Sequence, residues 1–232
     1  MFEFSFILVE SRLPENIGAA ARAIKTMGFS ELRLVNPADH LGERARWLAH
    51  GSNDILENAR LFPDLRQAVA DLDFTIACSA KRRAVKHDRY WIEDLPEILR
   101  AKTESVHRVG VIFGREASGL NNDELRLCDI IASIALKRPH PSLNLAQAVM
   151  ILAYVLAPLT YERRAKKSVP RPPGSFPALK TKARQVLTRC GITEDSLLYN
   201  RTMERLSILA TDDIQILHSI LNKVLQQLSE GE

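Results

Sequence analysis

Cysteine is scarce in this chain of 232 residues: there are three, Cys78, Cys128 and Cys190, widely spaced and never paired as Cys-x-x-Cys. That pattern argues against a disulfide framework or a thiolate zinc site and suits a reducing, cytoplasmic compartment. Histidine is equally scattered. None of His50, His87, His107 and His140 has a partner at metal-ligand spacing, so no metal site is expected. Long apolar runs are missing too, since the most apolar later stretch, Ala146 to Leu159, contains Gln147 and Pro158 and falls short of a bilayer span. The opening MFEFSFILVE has an acid inside its apolar run and no basic leader, so it reads as a first strand and not a signal peptide. Two phosphate-binding signatures are absent. No Gly-x-Gly-x-x-Gly follows the first strand, and Leu120-Asn121 stands where a Walker A loop needs Lys-Ser/Thr. There is no zinc finger and no RNP-type aromatic pattern.

What remains is an ordinary globular composition, 46% hydrophobic, with a net charge of +4 and a pI near 9.0. It can build a sizeable core without staples, as one domain plus a smaller appendage. Phe4–Val9, Leu32–Val35, Phe74–Cys78, Val109–Phe113 and Ile130–Ile134 have the length and β-propensity of buried strands. Helical segments lie between them, the first from about Asn16 to Met27 and ended by Gly28, so an α/β layer with a mainly parallel sheet is expected over residues 1–161. The helix opening near Asn144 is apolar almost all round, which implies burial on both sides, one against the sheet and one against a second subunit. Residues 162–178 form a basic, proline-rich stretch that reads as a linker. Residues 179–232 turn helical again and end in an amphipathic helix carrying Ile214, Leu217, Leu221, Val224 and Leu228.

Four constellations carry candidate chemistry. In the first helix, Gly18, Arg22 and Lys25 share the face opposite the core, with Asn16 at the helix start. This is either a solvated arginine or a ligand-facing one approached over Gly18, with helix N–H groups offered to an anion. The strand-loop Val111-Ile112-Phe113-Gly114-Arg115-Glu116-Ala117-Ser118-Gly119-Leu120 is either a strand-ending turn with a surface Arg–Glu pair or a ligand loop at the carboxyl edge of the sheet. In the third, Ser142 or Asn144 can cap the buried helix after a loop stiffened by Pro139 and Pro141. The linker cations, Arg163 to Arg184, are either a solvated spacer or contacts to a phosphate backbone.

Together these segments resemble the three motifs of the SpoU methyltransferases: NIGAAARAIKTMGFSELRLVNP the first, VIFGREASGL the second and PSLNLAQAVMILAY the third. The resemblance covers roughly Phe4 to Tyr161 and is nearest to the TrmJ-like branch, including LasT-type proteins. RWLAHGSNDIL and the Cys78-Ser79-Ala80 turn share it, and the helical tail does so more weakly.

The resemblance implies a parallel sheet whose C-terminal part is threaded into a deep trefoil knot, a small helical extension, and a homodimer whose active site is completed across the interface. It implies a 2′-O-ribose methyltransferase acting on structured RNA, tRNA favoured over rRNA, with S-adenosylmethionine as cofactor. The cofactor cradle would be Cys78, Ser79 and Ala80, then Gly114, Ile134, Pro141, Ser142 and Leu143. Arg22 would activate the ribose hydroxyl, either by taking its proton or by fixing the adjacent phosphate. A guanidinium is an awkward base at neutral pH. Asn16 would orient the nucleotide, Glu116 would hold Arg22 or the second-motif loop, and Ser142 and Asn144 would shape the pocket. The loop Leu136-Lys137-Arg138-Pro139-His140 departs from that branch in being more basic, and TMERLSILATDD in being less so. The rival readings are a catalytically silent knotted RNA-binding protein that keeps the cofactor pocket, and a nucleotide-binding α/β enzyme unrelated to RNA.

Overall fold

The structure is a computed structural model that describes residues 2–80, 89–138, 142–161, 175–209 and 211–230. Its strands are β1 (Glu3–Val9), β2 (Glu31–Val35), β3 (Arg60–Phe62), β4 (Phe74–Cys78), β5 (Tyr90–Trp91), β6 (Arg108–Phe113) and β7 (Ile130–Ser133). The helices of the sheet domain are α1 (Pro14–Thr26), α2 (Glu43–Ala49), α3 (Asn53–Glu57), α4 (Leu65–Val69), α5 (Leu95–Arg100), α6 (Asn122–Leu127), α7 (Leu145–Leu156) and α8 (Pro158–Tyr161). The tail adds α9 (Ser175–Arg189), α10 (Leu197–Ser207) and α11 (Thr211–Glu230). All five expected strands are present. The sequence reading missed β3 and β5, edge strands of three and two residues that are too short to give an apolar run.

Every strand pair is parallel, and the order is β3-β2-β1-β6-β4-β7-β5. Alternation along β1 builds the two layers: Phe4, Phe6 and Leu8 face the core under α1 and α7, while Ile7 and Val9 face the one under α4 and α6. From β1 the chain winds outward to β2 and β3, then returns to place β6 on the other flank of β1. The strand order therefore reverses between β1 and β6, the position where open α/β sheets take ligands at the carboxyl edge. Residues 81–88, between β4 and β5, and residues 139–141, between β7 and α7, lie outside the described residues.

The reading of Gly18 as a gap for a ligand is corrected. A Cβ there would lie 2.0 Å from the Ala45 carbonyl oxygen, so glycine is present because α2 packs its backbone directly onto α1. Lys25, on the same face, donates to the Gly51 carbonyl at 2.9 Å and to Asp54 at 2.7 Å, joining α1 to α3. At Gly18 the face expected to be open is covered by α2, because two helix backbones can approach closely where one presents no side chain, while Arg22 on the same face stays exposed.

The tail docks at the amino edge of the sheet. Its first helix, α9, begins at Ser175, a few residues inside the expected linker, because Pro177 falls in the first turn, where a missing N–H is tolerated. Residues 162–174 of that linker lie outside the described residues. Phe176 packs on Phe74 with ring centroids 5.7 Å apart, and Leu179 and Ala183 join the main core. Lys180 donates to both Asp129 oxygens, at 3.1 and 3.0 Å, and to the Asp73 carbonyl. Fully buried Lys102 lies 5.5 Å from the Phe74 ring and 5.0 Å from the Phe176 ring and donates to the Leu209 carbonyl. Among the described residues, no helix is long and apolar enough to cross a membrane.

Two expectations test this packing. Gly18→Ala would stabilise an exposed helix by about 1 kcal/mol; against Ala45 it should instead cost about 2 kcal/mol in urea unfolding. Burial pushes the Lys102 amine down from 10.5 to about 8. The unfolded chain then binds more protons than the folded one between those values, so stability should rise with pH across that window. Between about pH 8 and about pH 9.5 the gain should be about 1–2 kcal/mol, and Lys102→Met should flatten the profile.

Candidate functional site

The carboxyl ends of β6, β4 and β7, with the first turns of α7, line a cleft. Of the expected cradle, Cys78, Ser79 and Ala80 line it from β4, Gly114 from β6, Ile134 from β7, and Ser142 and Leu143 from the approach to α7. Pro141 lies outside the described residues. Phe113, Leu136 and Leu145 add apolar wall that the motif reading did not single out. The Gly114–Gly119 loop folds back sharply: a Cβ on Gly114 would lie 2.2 Å from the Gly119–Leu120 peptide, and Gly119 has φ +71°. Only glycine meets both requirements without strain.

The β4 turn is fixed by its backbone. The Ser79 N–H donates to the Ala132 carbonyl at 3.0 Å, and the Ser79 carbonyl accepts from Ser133 Oγ at 2.7 Å and from Arg89 at 3.0 Å. Burial pushes the Cys78 thiol up to about 12, so it stays protonated and is no nucleophile at neutral pH.

A continuous chain of hydrogen bonds joins the three motifs. Ser11 Oγ and Asn16 Nδ2 donate to Glu116 Oε1 at 2.6 and 3.0 Å, and the Arg12 N–H donates to Glu116 Oε2 at 3.2 Å. Asn144 Nδ2 donates to Asn16 Oδ1 at 2.8 Å, while Asn144 Oδ1 caps α7 by accepting from the Ala146 N–H, also at 2.8 Å. The carboxylate and the helix N–H at the two ends dictate which way both amides point, so no amide can be reversed without setting donor against donor. Desolvation works to raise the Glu116 pKa, but its donors, Asn16 and Ser11 first, outweigh it and leave a net lowering. An ionised carboxylate with three donors is a poor general base; it is a fixed anchor.

Arg115 pairs not with Glu116 but with Glu10 and Glu124, at 2.8 and 2.9 Å, and its five N–H donors are all satisfied, one by the Gly119 carbonyl. Glu124 and Glu10 hold the guanidinium well above its ordinary pKa. This clamp ties the glycine loop to the end of β1 and to α6. Sequence reading missed it, together with Ser11; the only local signal was an Arg between two glycines, and its partners are far along the chain.

Arg22 is exposed on α1, has no hydrogen-bond or ion-pair partner among the described residues, and is not in the wall of this cleft. The structure thus brings Asn16, Glu116 and Asn144 into one chain, places Ser142 in the cleft wall, and leaves Arg22 apart from them.

An all-parallel sheet with a glycine-looped cleft beside its switch point defines an α/β protein built to hold a small ligand beneath a helix start. The sequence comparisons make the class specific. The family described as SpoU rRNA Methylase matches residues 3–154, and the C-terminal domain of the tRNA/rRNA methyltransferase LasT matches residues 173–228. The chain belongs to the SpoU rRNA methylase family. It is 39% identical over 226 residues to an uncharacterized tRNA/rRNA methyltransferase LasT of Escherichia coli, covering 97% of this chain and 99% of that one. It is 40% identical over 149 residues to the tRNA (cytidine/uridine-2′-O-)-methyltransferase TrmJ of Pectobacterium atrosepticum, covering 64% of this chain and 61% of that one. Among solved structures, a probable methylase family protein from Haemophilus influenzae superposes with a TM-score of 0.67 at 28% identity, over 100% of both chains.

Glu116→Gln tests the anchor. One amide oxygen can still accept from Ser11 and Asn16, but the new NH2 faces the Arg12 N–H. The cost should be about 1.5–3 kcal/mol in urea unfolding, and a variant as stable as the parent would show that the carboxylate is dispensable.

Proposed function

We propose that the chain is an S-adenosylmethionine-dependent RNA 2′-O-ribose methyltransferase with tRNA as its substrate, acting as a homodimer with a knotted cofactor site. The observation that carries this reading is the union of the motif residues in one place: the described cradle residues share a single cleft, and Asn16, Glu116 and Asn144 brace its walls. The TrmJ relative, named for cytidine/uridine 2′-O-methylation of tRNA, supports the reaction and the substrate class.

The lining fits the cofactor. Phe113, Ile134, Leu136 and Leu145 offer apolar surface to a purine, and the strand-end peptides at Ser79, Ala80 and Gly114 offer polar groups to its edge. The ionised Glu116 in the wall places a negative charge near a sulfonium. When bound, the cofactor would supply an electrophilic methyl for the ribose 2′-oxygen, with its thioether as leaving group and the hydroxyl proton going to solvent. The protein's part is positioning: the braced cleft holds the geometry, which lowers the barrier by several kcal/mol.

Arg22 acts on the ribose or its phosphate from the partner subunit. Its exposure outside its own cleft supports this, as does the outer face of α7, where Tyr154 is 70% exposed beside half-buried Met150, Ile151 and Val155. That apolar strip suits a second copy.

Purified protein incubated with tritiated S-adenosylmethionine and total RNA from cells lacking the gene should label one RNA species as an alkali-stable 2′-O-methylated dinucleotide. Arg22→Ala should abolish label while cofactor affinity stays near the parent value. Cofactor binding without transfer, even with cell extract added, would move the assignment to a silent RNA-binding protein.

A further inference from the structure

We infer that Arg12, Lys137 and Arg138 form a phosphate clamp across the mouth of the cleft, holding the RNA backbone on either side of the nucleotide to be methylated. The inference rests on the proposed activity and adds to it the surface that seats the substrate.

Topology places these cations on opposite flanks. Arg12 follows β1, and Lys137 and Arg138 follow β7, whereas the cleft opens over β6 and β4, the two strands between them. Three inter-strand steps separate β1 from β7, about 14 Å, which leaves room for a nucleotide and its flanking phosphates. Both flanks are held close to the cleft itself. The backbone N–H of Arg12 donates to Glu116, which is in the wall, and Leu136, the residue before Lys137, is in the wall on the other side.

The three charges are available. The Arg12 side chain is 75% exposed, and its contact among the described residues, to Glu10 at 3.4 Å, is to a carboxylate that Arg115 holds more closely, at 2.8 and 3.1 Å. Lys137 and Arg138 are exposed and have no hydrogen-bond or ion-pair partner among the described residues. The acids nearest Arg12 are spent elsewhere, Glu10 on Arg115 and Glu116 on Ser11 and Asn16. A polyanion arriving at the mouth therefore meets cations whose neighbouring carboxylates are engaged by other donors, and it releases its counterions on binding. This also gives a purpose to the basic character of the Leu136–Arg138 loop, which no feature of the cofactor cradle requires.

The test is the salt dependence of RNA binding by full-length protein, measured by fluorescence anisotropy with the RNA that the parent labels, or bulk tRNA if it labels none. The triple variant Arg12→Gln, Lys137→Gln, Arg138→Gln should weaken binding and reduce the slope of log K against log salt by about 2–3. Its affinity for S-adenosylmethionine should be unchanged. A control pair, Arg100→Gln and Arg108→Gln near the opposite edge of the sheet, should leave the slope as it was. An unchanged slope in the triple variant overturns the clamp, and so does a loss confined to cofactor binding, which would assign the cations to the cofactor. A reduced slope in a protein that transfers no methyl would sustain the clamp and sink the proposed activity, so the two failures are distinguishable.

Discussion

The site depends on one half-buried carboxylate. Glu116 accepts from Ser11, Asn16 and the Arg12 peptide, and through Asn16 it reaches Asn144 and the start of α7. Three segments are thereby fixed relative to one another, the first of them a hundred residues or more from the other two, by donors and acceptors each of which has a single workable orientation. In a medium of low dielectric such a network is rigid when complete and costly when broken. That accounts for a negative charge kept in the cleft wall where a neutral side chain would be easier to bury.

Around this anchor the backbone does the remaining shaping. The Gly114–Gly119 turn is pinned by the Arg115 clamp to β1 and α6, and the Ser79 turn by Ala132, Ser133 and Arg89. Arginine suits the first task because its planar fork can serve two carboxylates and a carbonyl together, which a lysine ammonium cannot do in the same geometry. The cleft is thus defined by strand ends held in place from behind and by the apolar side chains that line it.

Much of this was legible in the sequence, for unequal reasons. The five central strands announced themselves as apolar runs because they are buried on both faces, whereas β3 and β5 lie at the edges and have no such run. The cradle was legible through motif resemblance; spacing alone left each segment open to a bland reading. Gly18 was misjudged because a helical glycine looks the same whether a ligand or another helix occupies the space above it, and only the position of Ala45 decides. Arg33, within the apolar β2, could not be explained from the sequence either: it is buried because Asp71 and the Ala68 carbonyl, from the distant α4 region, join Glu31 of its own strand in converging on it. Partners distant in sequence are invisible to local pattern.

The docking of α9 at Asp73 and Asp129 puts the tail at the amino edge of β4 and β7, while the cleft opens at their carboxyl edge. The length of the five-residue β4, about 17 Å, therefore separates the two poles of one chain. The sheet acts as a ruler. A small ligand held in the cleft therefore lies a strand's length from the docked tail, and the two poles are joined through the sheet between them.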